Sequence, residues 1–267
     1  MRSEKIAFLG GGNMAEAILA GMLAGEVASP ERLVVSDVAA ERREHLANRY
    51  GIETTADNAA AVRGADVVVL AVKPQQVAAA LAGVKPECSK EQLLVSICAG
   101  LPTAALEALT PARVARVMPN LPARVRRSVS AICGGARATA ADLDLVEALF
   151  AAAGVVVRLP ESQMNEVTAL SGSGPGYAFA FMEALEATGI AMGIAPALAR
   201  KMAIETVRGA AELAAQTGED PAELRRRVSS KGGTTLAGLA AMEAGGFSAA
   251  VAAGMKAARD RAAELAR

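Results

Sequence analysis

Short runs of β-branched residues alternate with longer stretches rich in Ala, Leu, Glu and Arg up to about residue 160. The β-branched residues stand in continuous runs, which is typical of strands buried on both faces of a sheet. Strands that alternate with helices favour a mostly parallel sheet covered by helices on both sides. We therefore predict an α/β domain built on a doubly wound parallel sheet, with strands at 5–9, 33–36, 66–72, 93–98, 113–118, 129–133 and 155–159.

The pattern changes after Leu159, because no convincing strand follows Glu166 and the helical segments are separated by Gly and Pro. A chain of 267 residues lies near the size at which a single core divides in two. We place the boundary near residue 165, with the α/β domain over 1–165 and an all-helical domain over 166–267. Helices of the second domain are predicted to begin at Pro175, Pro196, Pro221, Thr234 and Phe247.

Composition excludes several classes of protein. Lys and Arg number 28 against 28 Asp and Glu, which argues against binding of nucleic acid or anionic lipid by charge alone. The longest uncharged stretch, Val167 to Met182, is too short and too broken for a membrane span, and the N-terminus reaches Gly too early for a signal peptide. Three cysteines without metal-ligand spacing predict reduced thiols, a cytoplasmic protein and no metal site.

The segment from Phe8 to Ala15 matches the pattern G-x-G-x-x-A between a strand and a helix. In that context Gly10 permits a tight turn, and Gly12 lets backbone N–H groups approach a pyrophosphate. A glycine-rich turn occurs in any doubly wound fold, but its position in the first strand–helix unit favours dinucleotide binding.

The end of the second strand should face the adenosine ribose of a dinucleotide. Asp37 there would accept a hydrogen bond from the ribose 2′-hydroxyl and favour NAD. Ser36 would instead donate to a 2′-phosphate, with Arg42 or Arg43 to neutralise it, although both arginines also suit a solvated helix face. These residues leave both cofactors open.

Other loops follow the carboxyl ends of strands, where ligands bind in open parallel sheets. Lys73 and Pro74 follow one strand, and Asn120 in Met-Pro-Asn follows another, where it orients a nicotinamide or substrate or simply forms a turn. Asn58 either caps a helix or contacts the adenine side of a cofactor. In the helical half, Gly233 to Thr235 open a helix whose free N–H groups suit a carboxylate.

The segments FLGGGNMAEAI, LAVKPQ, RVMPN, VTALSGSGPGYAF and VSSKGGTTLAGL, in this order and spacing, resemble the pyrroline-5-carboxylate reductase family over residues 5–265. The resemblance implies a Rossmann-like N-terminal domain and a C-terminal helical domain that interlocks with a second subunit. It also implies reduction of 1-pyrroline-5-carboxylate to L-proline, the last step of proline biosynthesis, by NADPH in preference to NADH. Leu121, Gly176 and Lys231 depart from the usual pattern of the family.

The resemblance also implies the site residues. The active site of the family lies between the cofactor domain of one chain and a Gly-Gly-Thr-Thr region contributed largely by its partner. The matching substrate-contacting residues are Ser230, Gly233, Thr234 and Thr235, and we assign the catalytic hydrogen bond to Thr235. The matching cofactor-contacting residues are Leu9, Gly10, Gly11, Gly12, Asn13, Met14, Ser36, Asn58, Ala71, Val72, Lys73 and Pro74.

Two alternatives compete with this interpretation. An imine or β-hydroxyacid dehydrogenase typically carries a catalytic Lys or Asp on the long helix after Ser-Gly-Ser-Gly-Pro, where this chain has Glu183 and Glu186 and no Lys before Lys201. A non-enzymatic nucleotide sensor would not need the carboxylate-binding turn.

Zinc and triad-hydrolase motifs are absent from the sequence, and the single histidine, His45, is predicted on a helix surface. An apolar helical half predicts a homodimer at least.

Overall fold

The computed structural model describes residues 4–265, and these residues form two compact units. The first unit contains residues 4–173 together with 258–265, and the second contains Gly174–Ala257. The chain thus leaves the first unit after Ser173, within the helical half of the sequence, and its last helix returns to it. The assignment of separate roles to 1–165 and 166–267 stays a prediction.

The first unit is built on an eight-stranded sheet within the described residues, with strand order β3-β2-β1-β4-β5-β6-β7-β8. All neighbouring pairs are parallel except β6 and β7, which confirms the mostly parallel, Rossmann-like prediction. The strands are β1 Ile6–Leu9, β2 Leu33–Ser36, β3 Glu53–Thr55, β4 Val67–Leu70, β5 Leu93–Ser96, β6 Arg113–Met118, β7 Ser128–Gly134 and β8 Gly154–Arg158.

Alternate residues of each central strand enter two separate cores, one on each face of the sheet. In β1, Ile6 and Phe8 belong to one core, whereas Ala7 and Leu9 belong to the other. Both faces of the sheet are therefore covered by hydrophobic cores, which is why the strand sequences are continuously apolar. The helices that cover the sheet are α1 Asn13–Ala24, α2 Ala40–Tyr50, α3 Asn58–Val62, α4 Val77–Val84, α5 Thr103–Leu109, α6 Ala140–Ala151 and the short α7 Met164–Val167.

One strand was missing from the sequence prediction. β3 is only three residues long, has the polar sequence Glu-Thr-Thr and lies at the edge of the sheet beside β2. Such a strand is held by backbone pairing to β2 and not by burial of its side chains, so it leaves no apolar run in the sequence.

The second unit contains most of the helical half. Its helices are α8 Gly174–Ala191, α9 Pro196–Thr217, α10 Pro221–Arg227, α11 Thr234–Ala244 and the first part of α12 Phe247–Leu265. Among the described residues no single helix has the length and apolar content of a membrane span, although α11 and α12, bent by 52° at their break, pass such a test together.

Apolar side chains of the second unit are largely uncovered within one chain. Phe179, Met202 and Leu213 are each at least 50% exposed, and the buried residues of α8 to α11 are the small Ala199 and Ala203. Contiguous apolar surface of this kind marks an interaction site. The helices therefore need a second polypeptide against these faces.

We expect Phe181→Asp to weaken self-association. The Phe181 and Phe247 rings lie 6.4 Å apart in an apolar groove of about 630 Å³, and aromatic anchors of this kind dominate interface energies. Sedimentation equilibrium should show a dimer dissociation constant raised by at least tenfold, roughly the cost of losing one anchor. Lys90→Asp, which places the same charge on an exposed loop of the first unit, should leave it unchanged. An equal dissociation constant for Phe181→Asp and the parent protein would contradict the assignment.

Candidate active site

The carboxyl ends of six parallel strands, β1 to β6, lie at one edge of the sheet. The strand order reverses between β1 and β4, since β2 and β3 continue on one side and β5 and β6 on the other. Loops that leave adjacent strands toward opposite faces open a crevice at such a switch point. The predicted cofactor residues lie at or after the carboxyl ends of β1, β2, β3 and β4 and are therefore brought to this edge of the sheet.

The turn after β1 can be made only with glycine. Gly10 has φ of +96°, and a Cβ at this position would lie 2.8 Å from the carbonyl oxygen of Ala71 after β4. The Gly10 amide also donates to the Ser36 carbonyl at 2.8 Å. The turn is thus packed between the ends of β2 and β4, as the sequence pattern predicted.

The N-terminus of α1 is open to an anion. Gly12 is its N-cap and provides no side-chain cap, and a Cβ on Gly12 would meet no atom of the described chain within 4 Å. The first backbone N–H groups of a helix lack intrahelical acceptors and carry partial positive charge. The open space at Gly12 therefore fits the pyrophosphate of a dinucleotide.

Two clefts extend from this turn and share Ala71 and Val72. The larger, of about 490 Å³, lies toward β2 and includes the charged residues Asp37 and Lys73 in its lining. The smaller, of about 390 Å³, lies toward β5 and β6 and has no charged residue among its described lining residues. Their positions suit the adenosine and nicotinamide ends of a dinucleotide. The larger cleft is lined by Gly10, Gly12, Ser36, Asp37, Val38, Asn58, Ala71, Val72, Lys73, Gln76, Ala79 and Ala80. The smaller is lined by Met14, Ala71, Val72, Pro74, Ile97, Cys98, Ala99, Met118, Pro119, Asn120, Leu121 and Gly172.

Nine of the predicted cofactor residues line one of these clefts. The other three are Leu9, which is fully buried in the sheet, Gly11 within the turn, and Asn13 at the start of α1. Sequence reasoning missed Ile97 and Cys98. Both were assigned to the strand predicted at 93–98, whereas β5 ends at Ser96 and the two residues belong to the loop that follows it. Burial raises the pKa of the Cys98 thiol, so it stays protonated.

Asn58 does not cap α3, so the capping alternative is wrong. The N-cap is Asp57, whose carboxylate accepts from the Ala59 amide at 2.9 Å. The Asn58 side chain instead accepts a hydrogen bond from the Ser36 hydroxyl at 2.7 Å, at the wall of the larger cleft. Ser36 is fully buried, and both acceptors within reach of its hydroxyl, Asn58 at 2.7 Å and the Phe8 carbonyl at 3.3 Å, belong to the protein.

Asn120 binds backbone groups through both ends of its amide. Its Nδ2 donates to the Ser171 carbonyl at 2.9 Å, and its Oδ1 accepts from the Val129 amide at 3.0 Å. Ser171 belongs to a π-helical turn over Thr168–Gly172. Asn120 therefore secures this turn at the smaller cleft through one hydrogen bond from each end of its amide.

A carboxylate-centred network supports the glycine-rich turn from α2. The Arg42 guanidinium donates to the Gly11 carbonyl and to the Glu16 carboxylate. Glu16 also receives hydrogen bonds of 2.9 Å from both His45 and Tyr50. Partial burial raises the pKa of Glu16, but the bonds from His45, Arg42 and Tyr50 outweigh it and lower the pKa to about 2. His45 is exposed, as predicted, yet it belongs to this network.

The Gly-Gly-Thr-Thr region forms the exposed start of α11. Gly233 is the N-cap without a side-chain cap, and its amide donates to the Ser230 carbonyl at 2.9 Å. Thr234 and Thr235 occupy the first turn with exposed side chains. The N–H groups of Thr234 and Thr235 lie in the first turn of this eleven-residue helix, where a carboxylate can bind. The prediction of a free N–H at Gly233 is wrong, because this group donates to the Ser230 carbonyl.

Comparison with known proteins agrees with this geometry. Residues 161–265 match the family model for pyrroline-5-carboxylate reductase dimerisation, and residues 5–100 match the model for coenzyme F420-dependent NADP oxidoreductases. The pyrroline-5-carboxylate reductase of Pseudomonas aeruginosa is 42% identical, with 100% of this chain and 98% of the relative covered. The enzyme of Methanosarcina acetivorans is 39% identical, with 99% of each chain covered.

The chain belongs to the pyrroline-5-carboxylate reductase family.

Solved structures agree with this assignment. The pyrroline-5-carboxylate reductase of Coxiella burnetii superposes with a TM-score of 0.94 at 33% identity, with 100% of both chains covered. The Plasmodium falciparum enzyme, solved with NADP bound, gives 0.90 at 26% identity over 100% of both chains. The Rossmann-like sheet and the helical dimerisation domain are thus those of the reductase family.

We expect the free energy of unfolding of this reductase to depend less on acidic pH in Glu16→Gln than in the parent protein. The folded-state pKa of Glu16 is depressed from 4.5 to about 2, so its carboxylate contributes stability above pH 4.5 that is lost as the pH falls toward 2. Urea unfolding at a series of pH values should give a shallower fall in the free energy of unfolding for Glu16→Gln than for the parent protein. Glu41→Gln, on an exposed surface of α2, is the control. Identical slopes for Glu16→Gln and the parent would contradict the network.

Proposed function

We propose that this protein reduces 1-pyrroline-5-carboxylate to L-proline with a reduced nicotinamide dinucleotide. The observation that carries the proposal is the chemical character of the smaller cleft. Among the described residues that line it, none is a carboxylate, a histidine or a lysine. A reaction housed there depends on positioning and not on proton transfer by a side chain.

The substrate suits such a cleft. It is a cyclic imine with a carboxylate, and once its nitrogen is protonated the C=N carbon is already electrophilic. A bound reduced nicotinamide supplies a hydride to that carbon. Met14, Pro74, Ile97 and Met118 provide an apolar wall that would exclude water from the reacting atoms.

The start of α11 provides the groups that the substrate requires. The N–H groups of Thr234 and Thr235 would hold the carboxylate, with the Ser230 side chain beside it. The Thr235 hydroxyl would accept a hydrogen bond from the protonated ring nitrogen and keep that nitrogen in place as it becomes an amine. These roles are carried over from the resemblance and are supported by the exposure of the turn.

We further propose separate roles for the two domains and a second copy of the chain as partner. Residues 1–165 would bind the dinucleotide, and residues 166–267 would form a homodimer, which larger assemblies can repeat, and present the substrate turn. The uncovered apolar faces of α8 and α9 and the matched dimerisation model support the association. Three free cysteines support a cytoplasmic enzyme. The resemblance favours NADPH as reductant, and NADH is the alternative.

We expect the purified protein to oxidise reduced dinucleotide on addition of pyrroline-5-carboxylate, and Thr235→Ala to lower kcat/KM. Loss of one hydrogen bond to a charged group costs about 1.5–3 kcal/mol, which corresponds to a fall of roughly ten- to a hundredfold. The dissociation constant of the dinucleotide, measured by fluorescence titration, should stay the same.

Thr235→Ser is the matched control, because it keeps the hydroxyl and should retain most of the activity. An unaltered kcat/KM in Thr235→Ala would remove Thr235 from the mechanism. A protein that binds dinucleotide but never oxidises it in the presence of pyrroline-5-carboxylate would favour a nucleotide sensor.

Complementation should show whether two chains build each site, as the resemblance implies. Gly12→Asp places a carboxylate where the pyrophosphate would lie, and the open space at Gly12 accepts the side chain without a clash. The two variants, Gly12→Asp and Thr235→Ala, are dissociated, mixed in equal amounts and allowed to reassociate. Half of the dimers should then be mixed, and each mixed dimer should contain one intact site out of two. The activity should therefore rise to about a quarter of the parent level. No recovery above the separate variants would place both halves of the site in one chain.

A further inference from the structure

The Asp37 carboxylate is held at the wall of the larger cleft by backbone hydrogen bonds. Its Oδ2 accepts from the Gly11 amide at 2.8 Å, and its Oδ1 accepts from the Ala39 amide at 2.9 Å. An ionised carboxylate offers about four acceptor positions, so these two bonds leave others for a ligand. Asp37 thus presents a fixed negative charge directly after β2, where the adenosine ribose of a dinucleotide lies.

The residues that the sequence suggested for binding a 2′-phosphate form hydrogen bonds to other groups of the protein. The Ser36 hydroxyl is buried and donates to Asn58. The Arg42 guanidinium donates to the Gly11 carbonyl and to Glu16. Arg43 uses Nη1 to bind the Asp37 carbonyl at 2.8 Å and the Val38 carbonyl at 3.1 Å.

Lys73 also lines the larger cleft, but it follows β4. In the sheet, β4 lies on the opposite side of β1 from β2. A lysine there is placed to attract the pyrophosphate, which NADH and NADPH share. Its charge therefore does not separate the two dinucleotides.

We propose that Asp37 makes NADH the preferred dinucleotide of this chain. The inference deepens the proposed function, since it names the cofactor of the same site, and it departs from the NADPH preference that the resemblance implies. The free 2′- and 3′-hydroxyls of NADH can donate to the fixed carboxylate, whereas the 2′-phosphate of NADPH brings like charge against it. Like charges placed side by side at a binding surface are strongly unfavourable.

The test is direct binding without substrate. Fluorescence titration of the parent protein should give an NADH dissociation constant at least tenfold below that of NADPH, the size expected for one like-charge contact. Asp37→Asn keeps an oxygen that can accept from Gly11 or Ala39 but removes the charge, so it should narrow or invert this ratio. Glu41→Gln removes an exposed charge from the first turn of α2 and should leave the ratio unchanged.

Equal or tighter binding of NADPH by the parent protein would overturn the proposal, and so would an unchanged ratio in Asp37→Asn. If Asp37→Asn does not fold, the parent protein can be tested by competition of ADP and of adenosine 2′,5′-bisphosphate with the bound dinucleotide. The proposal requires that ADP, which lacks a 2′-phosphate, binds more tightly. No substrate is present in these titrations. Failure to reduce pyrroline-5-carboxylate would therefore refute the proposed function and leave the dinucleotide preference standing.

Discussion

The close approach of the glycine-rich turn to the end of β4 is the constraint on which the site depends. At Gly10 there is no room for a side chain against the Ala71 carbonyl, so β1 and β4 can lie side by side while α1 starts directly above them. The next residue, Gly11, is held through both of its backbone groups, by Asp37 at the amide and by Arg42 at the carbonyl. The uncapped start of α1 is thereby fixed at the junction of the two clefts.

The two clefts differ in a way that suits the two ends of one ligand. The larger has Asp37, Asn58 and Lys73 among its walls, which are groups that can recognise a ribose and phosphates. The smaller has no charged residue among its described lining residues, and the amide of Asn120 is bound to backbone groups. Under the proposed function, discrimination between dinucleotides would reside at the ribose end, and the reacting end would contribute shape and exclusion of water.

Under the proposed function, α11 would link association to substrate binding. Its first turn contains Thr234 and Thr235, whereas Met242 near its other end lines the apolar groove beside Phe181 and Phe247. A partner chain that fills this groove would also hold the helix whose first turn is proposed to bind the substrate carboxylate. Association would then stabilise a unit that has few buried side chains of its own.

Much of the fold follows from local patterns in the amino-acid sequence. Buried parallel strands must be continuously apolar, a turn with positive φ against a neighbouring backbone must be glycine, and proline suits the first turn of a helix. For this reason β2, β6 and the starts of α9 and α10 lie where the residues predict them. The motifs of the reductase family are likewise carried by contiguous residues, so both the family and the position of the crevice could be inferred without coordinates.

Contacts between distant segments had to be read from the folded chain. β3 is a polar edge strand that exists because β2 pairs with it, and the antiparallel β7 depends on its partner β6 and not on its own composition. The direction of the Ser36 hydroxyl, the engagement of Arg42 with Glu16 and the anchoring of Asn120 to Ser171 join residues separated by 22 to 51 positions. A polar side chain takes the partner that packing brings within 3 Å or so, and residue type alone cannot distinguish a group that faces a ligand from one already satisfied by the protein.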